Sequence, residues 1–158
     1  MPAPIIPADP DELAAQIKLD VLICFAAYSA SHAFSRFYRP MLDKLGLTYP
    51  QFIVLMVLWE KGKTTMKALT SELMLDSNTL TPLLKKLEAA GLVERSRNKD
   101  DERVLDVAPT AKAMALKPDG QKASLALALA TGESLEGVLE LQQRLTRARD
   151  NIEKALEA

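Results

Sequence analysis

TTMKALTSELMLDSNTLTPLLKKLEAAGLVERSRNKDDERVLDV, residues 64–107, contains a helix, a tight polar turn, a second helix and a short charged hairpin, in that order. Met66, Leu69 and Leu73 fall at helical spacing on one face, and the pattern stops near Asp76. Leu80, Leu83, Leu84 and Leu87 line one side of the next helix, and Gly91 is placed to end it in a left-handed conformation. Residues 92–97 and 103–107 read as two strands joined by the polar run 98–102. A hairpin this small holds no core of its own, so it reads as a wing that packs beside the helices and touches a DNA backbone. The order predicts a mainly α fold with a small β wing, a winged helix-turn-helix, and makes DNA binding the leading hypothesis.

Where the second helix starts is open from the residues alone. Pro82 lacks an N–H and belongs in a first turn, which makes Thr81 the N-cap. The alternative is a start at Asp76 or Ser77, both good caps, with one backbone bond lost and a slight bend at Pro82. That second choice exposes Ser77, Asn78, Thr79 and Thr81 in the leading turns, where a recognition helix presents its base readers.

A chain of 158 residues suits one domain with a real core, and no stretch is long and apolar enough to span a bilayer. The first residues, Met1-Pro2-Ala3-Pro4-Ile5-Ile6-Pro7, lack the basic and apolar regions of a secretory signal; they read as a flexible arm on a cytoplasmic protein. The net charge is −1, yet residues 61–99 hold eight Lys or Arg against four acids. That local balance of +4, on the helix-turn-helix itself, favours nucleic acid over an ordinary mixed surface. One Cys and one His exclude the usual multi-ligand metal sites and an intrachain disulfide. With no phosphate loop, dinucleotide fingerprint or nucleophile elbow, no cofactor is implied and enzyme readings start weak.

Residues 19–39 form a helical pattern that is apolar on most sides, which calls for more than one neighbour, and Pro40 bends or ends it. Leu45-Gly46-Leu47 is a stop, and Thr48 can cap a helix through Phe52, Leu55, Met56 and Trp59. Residues 110–131 are helical in character, with Lys117-Pro118-Asp119-Gly120 expected to kink or interrupt them. Val138, Leu141, Leu145, Ala148, Ile152 and Ala155 then repeat in a heptad-like seam. The surplus apolar face predicts a homodimer, against the plainer alternative of an intrachain helical pair. The expected organisation is an arm (1–18), a dimerisation and sensor helix (19–49), a DNA-binding lobe (50–108) and C-terminal dimerisation helices (109–158).

Four stretches resemble a known family: Leu19-Asp20 with Cys24-Phe25 and Tyr28-Ser29-Ala30-Ser31; Tyr38-Arg39-Pro40 leading to Leu45-Gly46-Leu47-Thr48-Tyr49-Pro50-Gln51; residues 75–88; and Asp101-Glu102-Arg103. Over residues 19–107 the chain resembles the MarR-type winged-helix repressors, and among them the OhrR-like branch that senses organic hydroperoxides. The resemblance implies a symmetric dimer on a pseudo-palindromic operator, with recognition helices in successive major grooves and wings at the flanking minor grooves. Ser77, Asn78, Thr79 and Thr81 would face the major groove, with Pro82 beside them in the DNA-binding set, Lys85 or Lys86 would meet phosphate, and Arg103, with Arg97 or Lys99, would serve the wing. Cys24 would be the redox-sensing thiol, with Tyr38 and Tyr49 hydrogen-bonding it and Tyr28 nearby; its sulfenic acid would break those contacts and release the DNA. The chain departs from the pattern at Asn78, where Gly is usual, and at Pro109-Thr110 with Ala113, in place of Leu-Thr and Gly. No second Cys stands near residues 128–131, so the resemblance is to the one-Cys type, finished by a small thiol in mixed disulfide or by over-oxidation.

Without the family, a lone Cys on an apolar helix is more often inert core than sensor. No cationic residue lies one turn from Cys24, so hydroxyls must tune it, and Tyr28 at i+4 can approach along the same face. Tyr38 is fourteen residues on, about 21 Å along a straight helix, so a contact with Cys24 would come from the second subunit. The tyrosines could equally be interface packing. Three competing functions remain: a MarR-type repressor gated by a small aromatic or phenolic ligand, with Cys24 buried in the core; a thiol peroxidase; and a winged helix that binds protein only.

Overall fold

Among the described residues, four helices start the same way, with a side-chain oxygen accepting the backbone N–H three residues on. Thr65 accepts from Ala68 (3.1 Å), Asp76 from Thr79 (2.7 Å), Thr110 from Ala113 (3.2 Å) and Ser134 from Gly137 (3.1 Å). At Thr48 the capping is reciprocal in kind: its backbone N–H donates to the Gln51 Oε1 at 2.8 Å.

The computed structural model describes residues 17–157 together with Asp11 and Ala14; the rest of the expected arm lies outside the described residues. The chain divides between Arg36 and Phe37 into two compact units. In the first, a 3-10 turn (Leu19–Val21) precedes the start of helix α1 (Ile23–Leu45), and no described residue is buried. Pro40 lies inside α1 rather than ending it. Tyr38 and Leu42, on either side of it, are both buried, so packing offsets the lost backbone bond, and the helix stops where Gly46 takes φ +68°.

The second unit is built around α2 (Tyr49–Lys61), whose Phe52, Val54, Leu55, Leu58 and Trp59 are all buried. Strand β1 (Thr64–Thr65) leads into α3 (Met66–Leu73) and then α4 (Ser77–Ala89). The α4 start at Ser77 overturns the Thr81 cap. Leu80, Leu84 and Leu87 are fully buried from the first turn onward, and Asp76 supplies the cap, so Pro82 is carried inside the helix. Gly91 follows at φ +69°.

Strands β2 (Val93–Arg97) and β3 (Leu105–Pro109) form the wing, and β1 adds a third strand that the sequence reading missed. The sheet order is β1-β3-β2, antiparallel, with Thr65 opposite Asp106 and Arg95 opposite Val107. Helix α5 (Ala111–Ala130) runs without interruption through Lys117-Pro118-Asp119-Gly120, contrary to the expected break. Gly120 is there because the helix touches Trp59: a Cβ at that position would lie 2.5 Å from the Trp59 ring. Helix α6 (Leu135–Leu156) has no buried residue, and its Leu141, Leu145 and Ile152 are exposed. Among the described residues no single helix is long and apolar enough to cross a membrane.

Thr110 does two jobs at the join of wing and α5, since its hydroxyl also donates to the Gly91 carbonyl at 2.8 Å. Thr110→Ala is expected to cost about 1 kcal/mol, read as a lower urea midpoint with unchanged denaturant slope. A midpoint equal to that of wild type would show that the cap contributes nothing.

Candidate nucleic-acid interface and redox site

The buried leucine face of α4 turns its other side to solvent. Ser77, Asn78 and Thr79 in the first turn, then Pro82, Lys85 and Lys86, are all exposed. Thr81 is half-buried and its hydroxyl donates to the Ser77 carbonyl at 2.7 Å, while the Thr79 hydroxyl donates to Asp76 at 3.3 Å. Ser77 and Asn78 are exposed and have no side-chain hydrogen bond to any described residue, so their polar groups are open to solvent. The Asp76 carboxyl is held below the ordinary carboxylate range, first by the Thr79 backbone N–H, so the cap stays ionised at neutral pH.

The basic balance of the segment is smaller at the surface than in the sequence. Lys61 pairs with Glu72, Lys63 with Asp106, and the half-buried Arg95 with Glu88, its Nε at 3.0 Å. Lys67, Lys85, Lys86, Arg97 and Lys99 have no ion pair among the described residues and form the available cationic set. At the wing tip Arg103 is held by Asp101, Nε to Oδ1 at 3.1 Å, with the guanidinium still open to solvent. On β3, one residue pair in from the wing turn, Asp106 is buried and accepts from Lys63 (2.7 Å) and Asn98 (3.1 Å). Lys63 first, then Asn98, keeps its carboxyl below the usual range, so this charge pair persists across neutral pH and is lost only as acid protonates it. Sequence reasoning gave neither Asp106 nor Asn98 a role. The available signal was an acid placed between the apolar Leu105 and Val107 of a strand, since a buried carboxylate requires partners.

Cys24 lies in the first turn of α1 and is exposed, so within this chain it is not the buried core thiol of the alternative reading. Tyr28, on the same unit, is exposed, and its ring contact is with His32, centroids 4.4 Å apart. In the second unit the structure brings Tyr38 and Tyr49 together at 5.4 Å, with Phe52 against both. Tyr38 is buried and Tyr49 half-exposed. Burial, then Tyr38, pushes the Tyr49 hydroxyl above its ordinary pKa, so it remains a proton-bearing donor at neutral pH.

Residues 36–119, which hold the helix-turn-helix and the wing, match the family described as transcriptional regulator SarA/Rot. The chain belongs to the MarR/SarA family of winged-helix transcriptional regulators. It is 44% identical over 135 residues to the HTH-type transcriptional regulator TtmR of Methylorubrum extorquens, spanning 85% of this chain and 69% of that one. It is 40% identical to the organic hydroperoxide resistance transcriptional regulator of Bacillus subtilis, over 76% of this chain and 84% of the other. Its fold is similar to that of Staphylococcus epidermidis AbfR in the reduced form bound to DNA, with 31% identity, TM-score 0.73, and coverage of 94% and 98%. AbfR has also been solved overoxidised and in a disulfide form. As a MarR/SarA family member this chain is a DNA-binding regulator and not an enzyme, with α4 in the place of the second helix of the helix-turn-helix.

Proposed function

We propose that this regulator is a homodimeric repressor that senses organic hydroperoxides through Cys24 and leaves a pseudo-palindromic operator when the thiol is oxidised. The observation that carries the reading is the exposed Cys24 thiol, the chain's one cysteine, in a protein 40% identical to an organic hydroperoxide resistance regulator. In the chemistry, the thiolate sulfur attacks the outer peroxide oxygen, the O–O bond breaks, the alkoxide leaves as an alcohol after taking a proton, and sulfur is oxidised to sulfenic acid. A small thiol then condenses with the sulfenic acid, releasing water and leaving a mixed disulfide. The hydroxyls of the partner's Tyr38 and the partner's Tyr49 serve as donors to the thiolate, a role that the persistently protonated Tyr49 suits. The exposed apolar seam of α6 supports the dimer, because a face with Leu141, Leu145 and Ile152 open to water needs a cover.

On DNA, Ser77, Asn78, Thr79 and Thr81 face the major groove, Lys85 or Lys86 meets phosphate, and Arg103, with Arg97 or Lys99, serves the wing. Asn78→Ala is expected to reduce discrimination between operator and mismatched sites by about 1–3 kcal/mol. Lys85→Ala weakens all duplexes alike and lowers the salt slope by about one per half-site. Competition binding against mismatched duplexes checks both; unchanged specificity in Asn78→Ala removes it as a reader.

A second reading, gating by a small aromatic or phenolic ligand, is favoured by a groove of about 500 Å³ between the end of α1 and α5, lined by Met41, Leu45, Ala123 and Ala126, with Lys44 and Lys122 at its edge. Parallel DNA-release titrations with an organic hydroperoxide, hydrogen peroxide and salicylate separate the two. Release by salicylate and not by hydroperoxide would sink the first reading.

A further inference from the structure

An unbroken series of polar contacts runs from the buried Asp106, one residue pair in from the wing turn, to the exposed Arg103 in that turn. Asp106, 3% exposed on β3, accepts from Lys63 Nζ at 2.7 Å, and the Asn98 Nδ2 donates to both of its carboxylate oxygens at 3.1 Å. The oxygen of the same Asn98 amide accepts the backbone N–H of Asp100 at 2.9 Å and of Asp101 at 3.2 Å. Asp101 Oδ1 in turn accepts the Arg103 backbone N–H at 3.0 Å and its Nε at 3.1 Å. The two ends of the amide are fixed by opposite demands, a carboxylate that needs a donor and two N–H groups that need an acceptor, so only a side chain with both can stand there.

We infer that Asn98 and Asp106 are positioning residues for DNA binding, a relay that sets the wing turn so that Asp101 presents the Arg103 guanidinium to the nucleic-acid backbone. The inference rests on the wing role proposed above for Arg103. The Arg103 side chain is 91% exposed, and among the described residues its polar partner is Asp101, which the turn positions. Ordering the turn in the free protein lowers what must be ordered on binding. What the relay needs from Asp106 is an acceptor for the Asn98 amide, and burial with Lys63 pairing keeps the carboxylate's charge away from the phosphates.

The test is binding of the full chain to a fixed duplex of about 30 base pairs, followed by fluorescence anisotropy as a function of salt. Arg103→Ala should lower the salt slope by about one per wing and weaken binding about five-fold at 0.15 M salt. Asn98→Ala should do the same, and the double variant should show no further loss. Loss of folded protein alone would change the active fraction and leave the slope intact. Asp106→Leu and Asp106→Asn both delete one negative charge, which by simple electrostatics tightens binding to DNA. The relay instead expects Asp106→Leu to lose slope, whereas Asp106→Asn, which keeps an acceptor for Asn98, retains it. A wild-type slope in Arg103→Ala removes the wing contact and the relay with it. A slope lost in Arg103→Ala but kept in Asn98→Ala, or additive losses in the double variant, overturns the relay and leaves the wing contact standing.

Discussion

A Cys24→Ser protein should bind its operator as tightly as wild type and remain bound at organic hydroperoxide concentrations that strip the wild-type protein from the same DNA. The substitution exchanges sulfur for oxygen in the first turn of α1, and the serine hydroxyl can still accept from the tyrosine hydroxyls proposed to face position 24, so little packing is lost. Near-isosteric changes of this kind usually cost less than about 1.5 kcal/mol. The chemistry changes completely, because an alcohol has no sulfenic acid to form and cannot enter a mixed disulfide. The release curve should therefore be flat, an effect limited only by the range of peroxide that the remaining residues tolerate. Release with the wild-type midpoint would take Cys24 out of the mechanism. Under ligand gating, the same variant keeps its full response to salicylate, so one protein in two titrations tells the readings apart.

What could be read from the residues was what local chemistry and periodicity decide. The order of helices and wing followed from apolar spacing, the cap at Thr48 from a side chain that satisfies backbone N–H groups, and the helix stops from Gly46 and Gly91, whereas Pro82 pointed to a cap at Thr81 and the helix is in fact capped by Asp76. The misses share a cause, which is contact with residues distant in sequence. Strand β1 is two threonines, and it exists only because Thr64 and Thr65 meet Val107 and Asp106. Pro118 and Gly120 look like a helix break, yet α5 continues because packing against α2 outweighs local propensity. The basic count was right as arithmetic and too generous as surface, since Lys63 and Arg95 are spent on Asp106 and Glu88. At the candidate site the same division holds. The exposed face of α4 was legible, but the pairing of Tyr38 with Tyr49 and the linkage of Asn98 to Asp106 were not, because no spacing rule connects those positions.

Trp59→Ala is expected to destabilise the fold by about 3–5 kcal/mol, and to reverse the sign of a second change, Gly120→Ala. In an ordinary helix interior Gly→Ala stabilises by about 1 kcal/mol. Here the added Cβ would come within 2.5 Å of Trp59 Cζ3 and 3.1 Å of Phe52 Cε2. The indole has nowhere to withdraw: its Nε1 donates to the Ala113 carbonyl at 2.8 Å, and its ring meets Phe52 edge-on, centroids 6.1 Å apart. Overpacking of a filled core costs about 1–3 kcal/mol, which outweighs the gain in propensity, so Gly120→Ala alone lowers stability. With Trp59 already truncated the clash is gone and the methyl enters the space left behind, so the same substitution becomes stabilising. Urea unfolding of the four proteins at one fixed concentration closes the cycle, and the coupling between the two sites should be favourable. Equal effects of Gly120→Ala in both backgrounds would mean that the ring does not set the glycine, and that α5 crosses α2 without the contact on which this prediction rests.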